Sequence, residues 1–130
     1  MTDGILLIDK PEGMTSFDVV ARVRQHYGTR HVVHTRTLDP LATGILLVCI
    51  GRATKMVDAL QAEEKEYVAD VMLGATTPSY DLEHPVDRTF PTEHITREKV
   101  LAALSSLTGE RLQEPPVYSA KKIDGTRAYE

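Results

Sequence analysis

The sequence predicts an α+β fold, and three observations lead to this class. Two short apolar runs, residues 5–8 and 45–50, are typical of buried strands. Residues 65–73 alternate in the manner of a strand with one buried face. Residues 15–28 and 96–109 instead place apolar side chains at helical spacing. Because these strands and helices follow no regular βαβ alternation, the class is α+β rather than α/β.

The first predicted helix has clear start and stop signals. Thr15 or Ser16 can cap its N-terminus, and Thr15 with Asp18 resembles a capping box. Gly28 is the expected stop, because glycine readily adopts the left-handed conformation of a helix C-cap. The apolar positions near one face of this helix are Phe17, Val20, Ala21 and Tyr27.

The second predicted helix has Thr96 as its N-cap and Gly109 as its end. Ile95 and Val100 are spaced as a hydrophobic staple around the cap. The expected apolar face consists of Val100, Leu101, Leu104 and Leu107.

Four further segments complete the prediction. Residues 29–44 show no clear period and predict a long loop, with a short strand near 32–33. A long loop in a compact domain is usually functional. Residues 53–60 predict a short helix, and we expect short strands at 86–90 and 117–120.

Composition indicates an ordinary globular protein. The length of 130 residues predicts one domain, and 42% hydrophobic residues supply a core. The single cysteine, Cys49, excludes a disulfide framework within the chain and is expected to be a buried, inert thiol. No apolar run is long enough for a membrane span, and no secretory signal is visible, so we expect a cytoplasmic location.

Charge is distributed unevenly along the chain. The net charge of −4 argues mildly against nucleic-acid binding. Residues 1–55, however, hold seven Lys/Arg and five Asp/Glu, a net of +2, whereas residues 56–130 hold eight and fourteen, a net of −6. A positive half can mark a surface that faces a polyanion, or it can have no functional meaning.

The segment 34–44, with sequence HTRTLDPLATG, places a single carboxylate directly before a predicted buried strand. Pro40 stiffens this loop and biases Asp39 toward an extended conformation. Gly44 allows a backbone turn that other residues resist. A rigidly held carboxylate is suited to a nucleophile or a general base, although Asp-Pro is also a common turn dipeptide.

Other polar residues allow more than one interpretation. His26, His31, His34 and Cys49 match no standard zinc spacing, so we expect histidines that face solvent or phosphate. Tyr67 is by default a core residue, but beside a basic loop it is suited to stack on a base. The candidate phosphate contacts are Arg22, Arg24, Arg30, Arg36, Arg52 and Lys55.

Four segments resemble signatures of bacterial tRNA pseudouridine synthases of the TruB type. Residues 7–16, LIDKPEGMTS, are similar to the first signature, and residues 34–44 resemble the catalytic signature. Residues 65–67 are similar to a Lys-x-Tyr segment. The segment that follows the second helix in the family is matched by residues 115–122, Gly125 and residues 127–130. The four appear in order over nearly the whole chain, and as a set they are highly specific.

The resemblance implies a pseudouridine-synthase-like catalytic domain with a mixed, largely antiparallel sheet flanked by helices. It implies an isomerase that converts uridine to pseudouridine at position 55, in the T-loop of tRNA, without a cofactor or a metal. The T-arm of tRNA is the implied partner, and we expect a monomer that does not associate with membranes.

The resemblance also assigns roles to individual residues. Asp39 is the essential carboxylate, which attacks the uracil ring or the sugar or assists glycosidic cleavage. Tyr67 stacks on the target base, His34 lies against the RNA where the nucleotide is flipped out, and Lys10 supports the floor of the site. The substrate-binding set that the resemblance implies is Tyr67, His34, Lys10, Arg36, Thr37 and Leu38.

The chain departs from the family pattern in two respects. The family's catalytic domain continues well beyond 130 residues, so residues 1–130 are expected to be its N-terminal portion, with the C-terminal half and any small RNA-binding domain absent. The family usually has glycine where this chain has Val33 and Arg36. These departures keep two alternatives open: a non-catalytic RNA-binding or RNA-folding module, and a guide-RNA-dependent relative.

Overall fold

The computed structural model describes residues 2–117 and the backbone of two short strands at 122–123 and 126–127. It divides the chain into two compact units, residues 1–68 and 69–130. Residues 61–73, around the boundary, contribute no buried or half-buried side chain. The elements are β1 (Gly4–Lys10), α1 (Ser16–Tyr27), β2 (Val32–His34), β3 (Gly44–Ile50), a 3-10 helix (Gly51–Met56), α2 (Val57–Gln61), β4 (Ala75–Thr76), β5 (Arg88–Thr89), α3 (Arg97–Leu107), β6 (Lys122–Ile123) and β7 (Thr126–Arg127).

The first unit is built on a three-stranded antiparallel sheet with strand order β1-β3-β2. The register of β1 on β3 runs from Gly4 opposite Ile50 to Lys10 opposite Gly44. His34, the last residue of β2, lies opposite Val48. The three predicted strands of this region are therefore confirmed, and the apolar β3 is the central strand.

Helix α1 begins and ends as predicted, but its buried face is different. The Thr15 side chain accepts a hydrogen bond from the Asp18 amide, and the Asp18 carboxylate accepts one from the Thr15 amide. Gly28 closes the helix in the left-handed conformation, with φ of 62°. The predicted face was partly wrong, because Phe17 is 61% exposed and Ala21 and Tyr27 also face solvent. The residues of α1 that are buried are Ser16, Val19, Val20 and Val23.

The core lies between α1 and one face of the sheet. Buried apolar residues from β2 and β3 reach it, of which Val32, Leu46 and Val48 are 0% exposed, and the half-buried Leu6 and Ile8 of β1 pack against them. Each such burial contributes about 1.5–3 kcal/mol. Cys49 is a buried free thiol, as predicted, and its burial raises the pKa of the thiol.

Two predicted elements of the first unit and the link that follows it need correction. The helix expected at 53–60 is a 3-10 helix at Gly51–Met56 followed by the short helix Val57–Gln61. The strand expected at 65–73 was wrong: this segment is irregular, and every residue in it is exposed. Alternation is necessary for a half-buried strand, but a strand also needs a hydrogen-bonded neighbour, and none pairs with these residues in the described part of the chain.

The second unit contains a small antiparallel pair, β4 with β5, and helix α3. The strand predicted at 86–90 is confirmed only at Arg88–Thr89. Thr96 caps α3 as predicted, and the helix ends at Leu107, with Thr108 as its C-cap, rather than at Gly109. The expected apolar face is largely exposed in the structure. Its exposed members are Leu101, Leu104 and Leu107.

The strand predicted at 117–120 lies, apart from Val117, outside the described residues, as do most of the residues after it. Within the part of the chain that the structure describes, no helix has both the length and the apolar character needed to cross a bilayer.

Candidate active site around Asp39

The residue before Asp39 is held by a side chain from the start of α1. Ser16 Oγ accepts a hydrogen bond from the Leu38 amide at 2.8 Å and donates one to the Leu38 carbonyl at 3.2 Å. Ser16 is 2% exposed and Leu38 is 7% exposed, so both hydrogen bonds are shielded from water. Leu38 also belongs to the core, which fixes its side chain as well as its backbone.

The residue after Asp39 is held by a buried cation from the end of β1. Lys10 Nζ donates to the carbonyl oxygens of Pro11 at 2.9 Å, Met14 at 2.7 Å and Pro40 at 3.2 Å. These contacts use all three donors of the ammonium group, which explains how a charged side chain tolerates complete burial. The Gly13 amide donates a second hydrogen bond to the Pro40 carbonyl, at 2.7 Å.

Asp39 itself lies between these two anchored neighbours and is exposed. Its carbonyl accepts a hydrogen bond from the Ala42 amide at 2.9 Å, which closes a tight turn. Gly44 then enters β3 with φ of 120°, a conformation that side-chain-bearing residues rarely adopt, as its sequence position predicts. The backbone is therefore fixed on both sides of a carboxylate that is open to solvent.

The residues before this turn form a second fixed segment. His34 is half-buried at the end of β2, and its Nδ1 lies 2.7 Å from the Arg36 carbonyl oxygen. The Thr35 amide donates to the Leu47 carbonyl at 2.9 Å, which attaches the segment to β3. Thr35 is 0% exposed, and its hydroxyl has no hydrogen-bond partner in the described structure. Thr37 is exposed beside this segment.

Arg36 connects this loop to Tyr67. Its Nη1 donates to the Tyr67 hydroxyl at 3.4 Å, and Tyr67 is 65% exposed. Tyr67 is therefore not a core residue, contrary to the default interpretation of an aromatic on a predicted strand. Neither Val33 nor Arg36 has a positive φ, and Val33 is paired in β2 opposite Cys49. The backbone at these two positions consequently does not require glycine.

Two of the candidate phosphate-binding cations have structural partners instead. Arg52 forms an ion pair with Asp3, and hydrogen bonds from the Arg52 amide and guanidinium lower the pKa of the Asp3 carboxyl. Arg24 donates to the Val32 carbonyl at 3.2 Å and lies 5.8 Å from the centre of the Phe17 ring. Arg24 and Arg52 therefore both have partners within the protein.

The described residues contain one group with the geometry to hold a metal ion, Asp81, Glu83 and His84, whose ligand atoms lie within 4.8 Å of one another. Asp81 Oδ1 already accepts hydrogen bonds from Ser79 Oγ and from the Glu83 amide, as in a tight polar turn. This group belongs to the second unit, whereas Asp39 belongs to the first.

Sequence reasoning identified Lys10 and Leu38 but not Ser16 and Gly13 as residues of this site. The side chains of both residues are buried: Lys10 binds the Pro40 carbonyl of the loop, and Leu38 belongs to the loop and reaches into the core. The signal for Ser16 was the pair of consecutive hydroxyls at the helix start. Since Thr15 serves as the cap, the Ser16 hydroxyl is free to bind another segment.

Comparison with known proteins identifies the family. A family profile described as TruB family pseudouridylate synthase (N terminal domain) matches residues 24–130. A tRNA pseudouridine synthase B from Bacteroides fragilis is 54% identical over 132 residues, which cover 97% of this chain and 57% of the relative.

Other bacteria contain similar proteins. A tRNA pseudouridine synthase B from Mycobacterium sp. is 50% identical over 97% of this chain and 42% of the relative. One from Deinococcus deserti is 46% identical over 96% of this chain and 40% of the relative. The chain thus spans about 40–57% of the length of these curated relatives. Because the family profile matches most of its length, the chain belongs to the TruB family of pseudouridylate synthases, whose N-terminal domain it matches.

Proposed function

We propose that the chain is the N-terminal portion of the catalytic domain of an enzyme that converts uridine to pseudouridine at position 55, in the T-loop of tRNA. The observation that carries the proposal is the arrangement around Asp39, an exposed carboxylate whose two neighbours are anchored by Ser16 and Lys10. The names of the relatives support tRNA as the substrate. The relatives' remaining length supports a C-terminal half that completes the domain.

The reaction is an isomerisation, so it needs no oxidant and no second substrate. The glycosidic bond between N1 of uracil and C1′ of ribose breaks, the base rotates, and C5 forms a new bond to C1′. The proton on C5 is then lost, and N1 gains a proton. Asp39 assists by attacking the uracil ring or the sugar, or by promoting glycosidic cleavage. A fixed backbone keeps its carboxylate in position throughout these steps.

The target uridine has to leave its stack before a carboxylate can reach it. Tyr67 presents an exposed aromatic ring on which the flipped base can stack. His34 and Thr37 lie on the same loop as Asp39 and contact the RNA next to that nucleotide. Lys10 supports the loop through its hydrogen bond to the Pro40 carbonyl, and Leu38 anchors the loop through its side chain in the core.

The experiment that tests the proposal is a pseudouridine assay on an unmodified T-arm hairpin, without guide RNA. It uses the 130-residue chain and a joined chain, in which the part of the B. fragilis relative beyond the match follows residue 130. The variants are Asp39→Asn and the matched control Asp58→Asn, which removes an exposed carboxylate on α2. We expect product from the joined chain and from its Asp58→Asn variant, and none from Asp39→Asn.

An active Asp39→Asn variant would contradict the assigned carboxylate. Product that requires an added guide RNA would favour the guide-dependent alternative.

A second candidate function, a non-catalytic RNA-binding module, is favoured by one contact. Arg36 donates to the Tyr67 hydroxyl, and its Nε is buried with no hydrogen-bond partner among the residues that the structure describes, so the side chain fills space beside the aromatic ring. If the flipped nucleotide has to occupy that space, the Arg36 side chain blocks it, and the chain binds RNA without converting uridine. The test is the double variant Val33→Gly, Arg36→Gly in the joined chain, since turnover that appears only in this variant supports the binding module.

A further inference from the structure

The two faces of the β1-β3-β2 sheet are buried to very different extents. The face that packs on α1 includes Leu46 and Val48, both 0% exposed. On the opposite face, Leu7 is 72% exposed and Ile45 is 64% exposed. We call this second surface the outer face. Its exposed large apolar residues are Ile5, Leu7, Val33 and Ile45.

The residues of the outer face lie together because of the strand register. Residues that are paired across an antiparallel sheet point to the same face, as do residues two positions apart in one strand. Leu7 is paired with Leu47, and Ile5 and Val33 are both paired with Cys49, so these side chains share one face. The short elements after β3 leave Leu7 and Ile45 more than half exposed. A contiguous apolar patch on a sheet marks an interaction surface, whereas isolated apolar residues do not.

The sequences of β1 and β3 indicate that this face is covered in the complete protein. An antiparallel sheet with one solvated face alternates apolar and polar residues along each strand. Residues 5–8 and 45–50 are instead continuously apolar, the pattern of strands that are buried on both sides. The chain therefore encodes two covered faces. The described residues cover the face that packs on α1 and, on the outer face, Cys49, but they leave Leu7 and Ile45 exposed.

We infer that the outer face is the docking surface for the C-terminal part of the TruB-type polypeptide. The 130-residue chain covers 57% of the B. fragilis relative, which leaves 43% of that protein outside the match, enough for a further layer of structure. A second copy of this chain is the alternative occupant, and the experiment separates the two. The inference depends on the proposed domain organisation but not on the proposed reaction, and none of its measurements involves RNA.

The test compares thermal unfolding of the 130-residue chain with that of the joined chain defined above. Leu7→Gln and Ile45→Gln remove apolar side chains from the outer face. Phe17→Gln is the matched control, because Phe17 is similarly exposed but lies on α1. In the 130-residue chain all three variants keep the Tm within about 2 °C, since surface changes are close to neutral. In the joined chain, Leu7→Gln and Ile45→Gln lower the Tm by about 4 °C or more, whereas Phe17→Gln does not.

A second measurement applies if the joined chain does not unfold cooperatively. Carbene footprinting labels exposed side chains, and it is carried out on the 130-residue chain and on the intact B. fragilis relative. We expect strong labelling of the peptides that contain Leu7 and Ile45 in the former, and weak labelling of the aligned peptides in the latter. Equal labelling in the two proteins overturns the inference. It is also overturned if the 130-residue chain is a dimer in which these two residues resist labelling.

Discussion

Lys10 Nζ donates a hydrogen bond to the Pro40 carbonyl over 3.2 Å, although the two residues are separated by 30 positions in the sequence. This contact attaches the end of β1 to the residue that follows Asp39. The same ammonium group also donates to the carbonyls of Pro11 and Met14. One buried side chain therefore binds both the loop after β1 and the loop that carries Asp39. The loop that carries the carboxylate is thus held by a long-range interaction and not by its own sequence alone.

Lys10→Met is expected to destabilise the protein and to loosen the loop. The methionine has a similar length but no donors, so the Pro11 and Met14 carbonyl oxygens lose this partner and the Pro40 carbonyl keeps only the bond from the Gly13 amide, at a cost of about 1–3 kcal/mol or more. The measurement is urea unfolding, together with amide hydrogen exchange over residues 38–42. Lys55→Met, on an exposed side chain, is the control and should change stability by less than about 0.5 kcal/mol. Equal stability of the two variants would show that the carbonyls are satisfied without Lys10.

Ser16→Ala is expected to weaken the other anchor of the loop. It leaves both the amide and the carbonyl of Leu38 without a partner in a buried position, which costs about 1–3 kcal/mol. In the joined chain we expect a lower kcat for pseudouridine formation with little change in KM. The reason is that the variant disturbs the position of Asp39, whereas it leaves the contacts with the RNA largely intact. Ser106→Ala, on an exposed hydroxyl of α3, is the control for the loss of a hydroxyl. A rise in KM at constant kcat would argue against a positioning role.

The sequence predicts the first unit well because its signals are local. The capping box at Thr15, the stop at Gly28 and the apolar run of β3 all depend on neighbouring residues. The role of Ser16 was missed because it depends on Leu38, which is 22 positions away. The strand expected at 65–73 was wrong for a related reason, since alternation cannot show whether a neighbouring strand is present.

Stability should fall in acid partly because of the cap of α1. Hydrogen bonds from the Thr15 amide and hydroxyl are the main reason that the pKa of the Asp18 carboxyl is lowered. The unfolded state therefore binds a proton at a higher pH than the folded state does. The stabilisation that the Asp18 carboxylate provides is complete above the ordinary aspartate pKa, and it is lost as the pH falls through the lowered pKa of the folded state.

The measurement for this cap is the urea midpoint of the wild type and of Asp18→Asn between about pH 7 and pH 3. We expect the wild type to be more stable at neutral pH and the two midpoints to converge in acid. Asp70→Asn, on an exposed carboxylate, serves as the control. A difference in urea midpoint between wild type and Asp18→Asn that stays constant with pH would show that this carboxylate does not cause the loss of stability in acid.

Arg36→Lys tests whether the planar guanidinium is needed beside Tyr67. Lysine keeps the positive charge but loses the fork of donors with which arginine binds a hydroxyl and a phosphate together. If Arg36 binds the RNA, the joined chain with Arg36→Lys should show a higher KM and an unchanged kcat. If Arg36 instead occupies the space of the base, the smaller lysine head should increase turnover. Unchanged kinetics would mean that Arg36 takes no part in binding.

Thr35→Val is expected to leave the fold intact and to raise stability by up to about 1 kcal/mol. The Thr35 hydroxyl is fully buried and has no hydrogen-bond partner in the described structure, so it loses its contact with water on folding without compensation. Valine has the same shape and removes that penalty, while the Thr35 amide keeps its bond to the Leu47 carbonyl. Urea unfolding measures the difference, with Thr37→Val at the neighbouring exposed position as the control. A loss of stability in Thr35→Val would instead show that the hydroxyl stabilises the folded protein, and it would contradict this prediction.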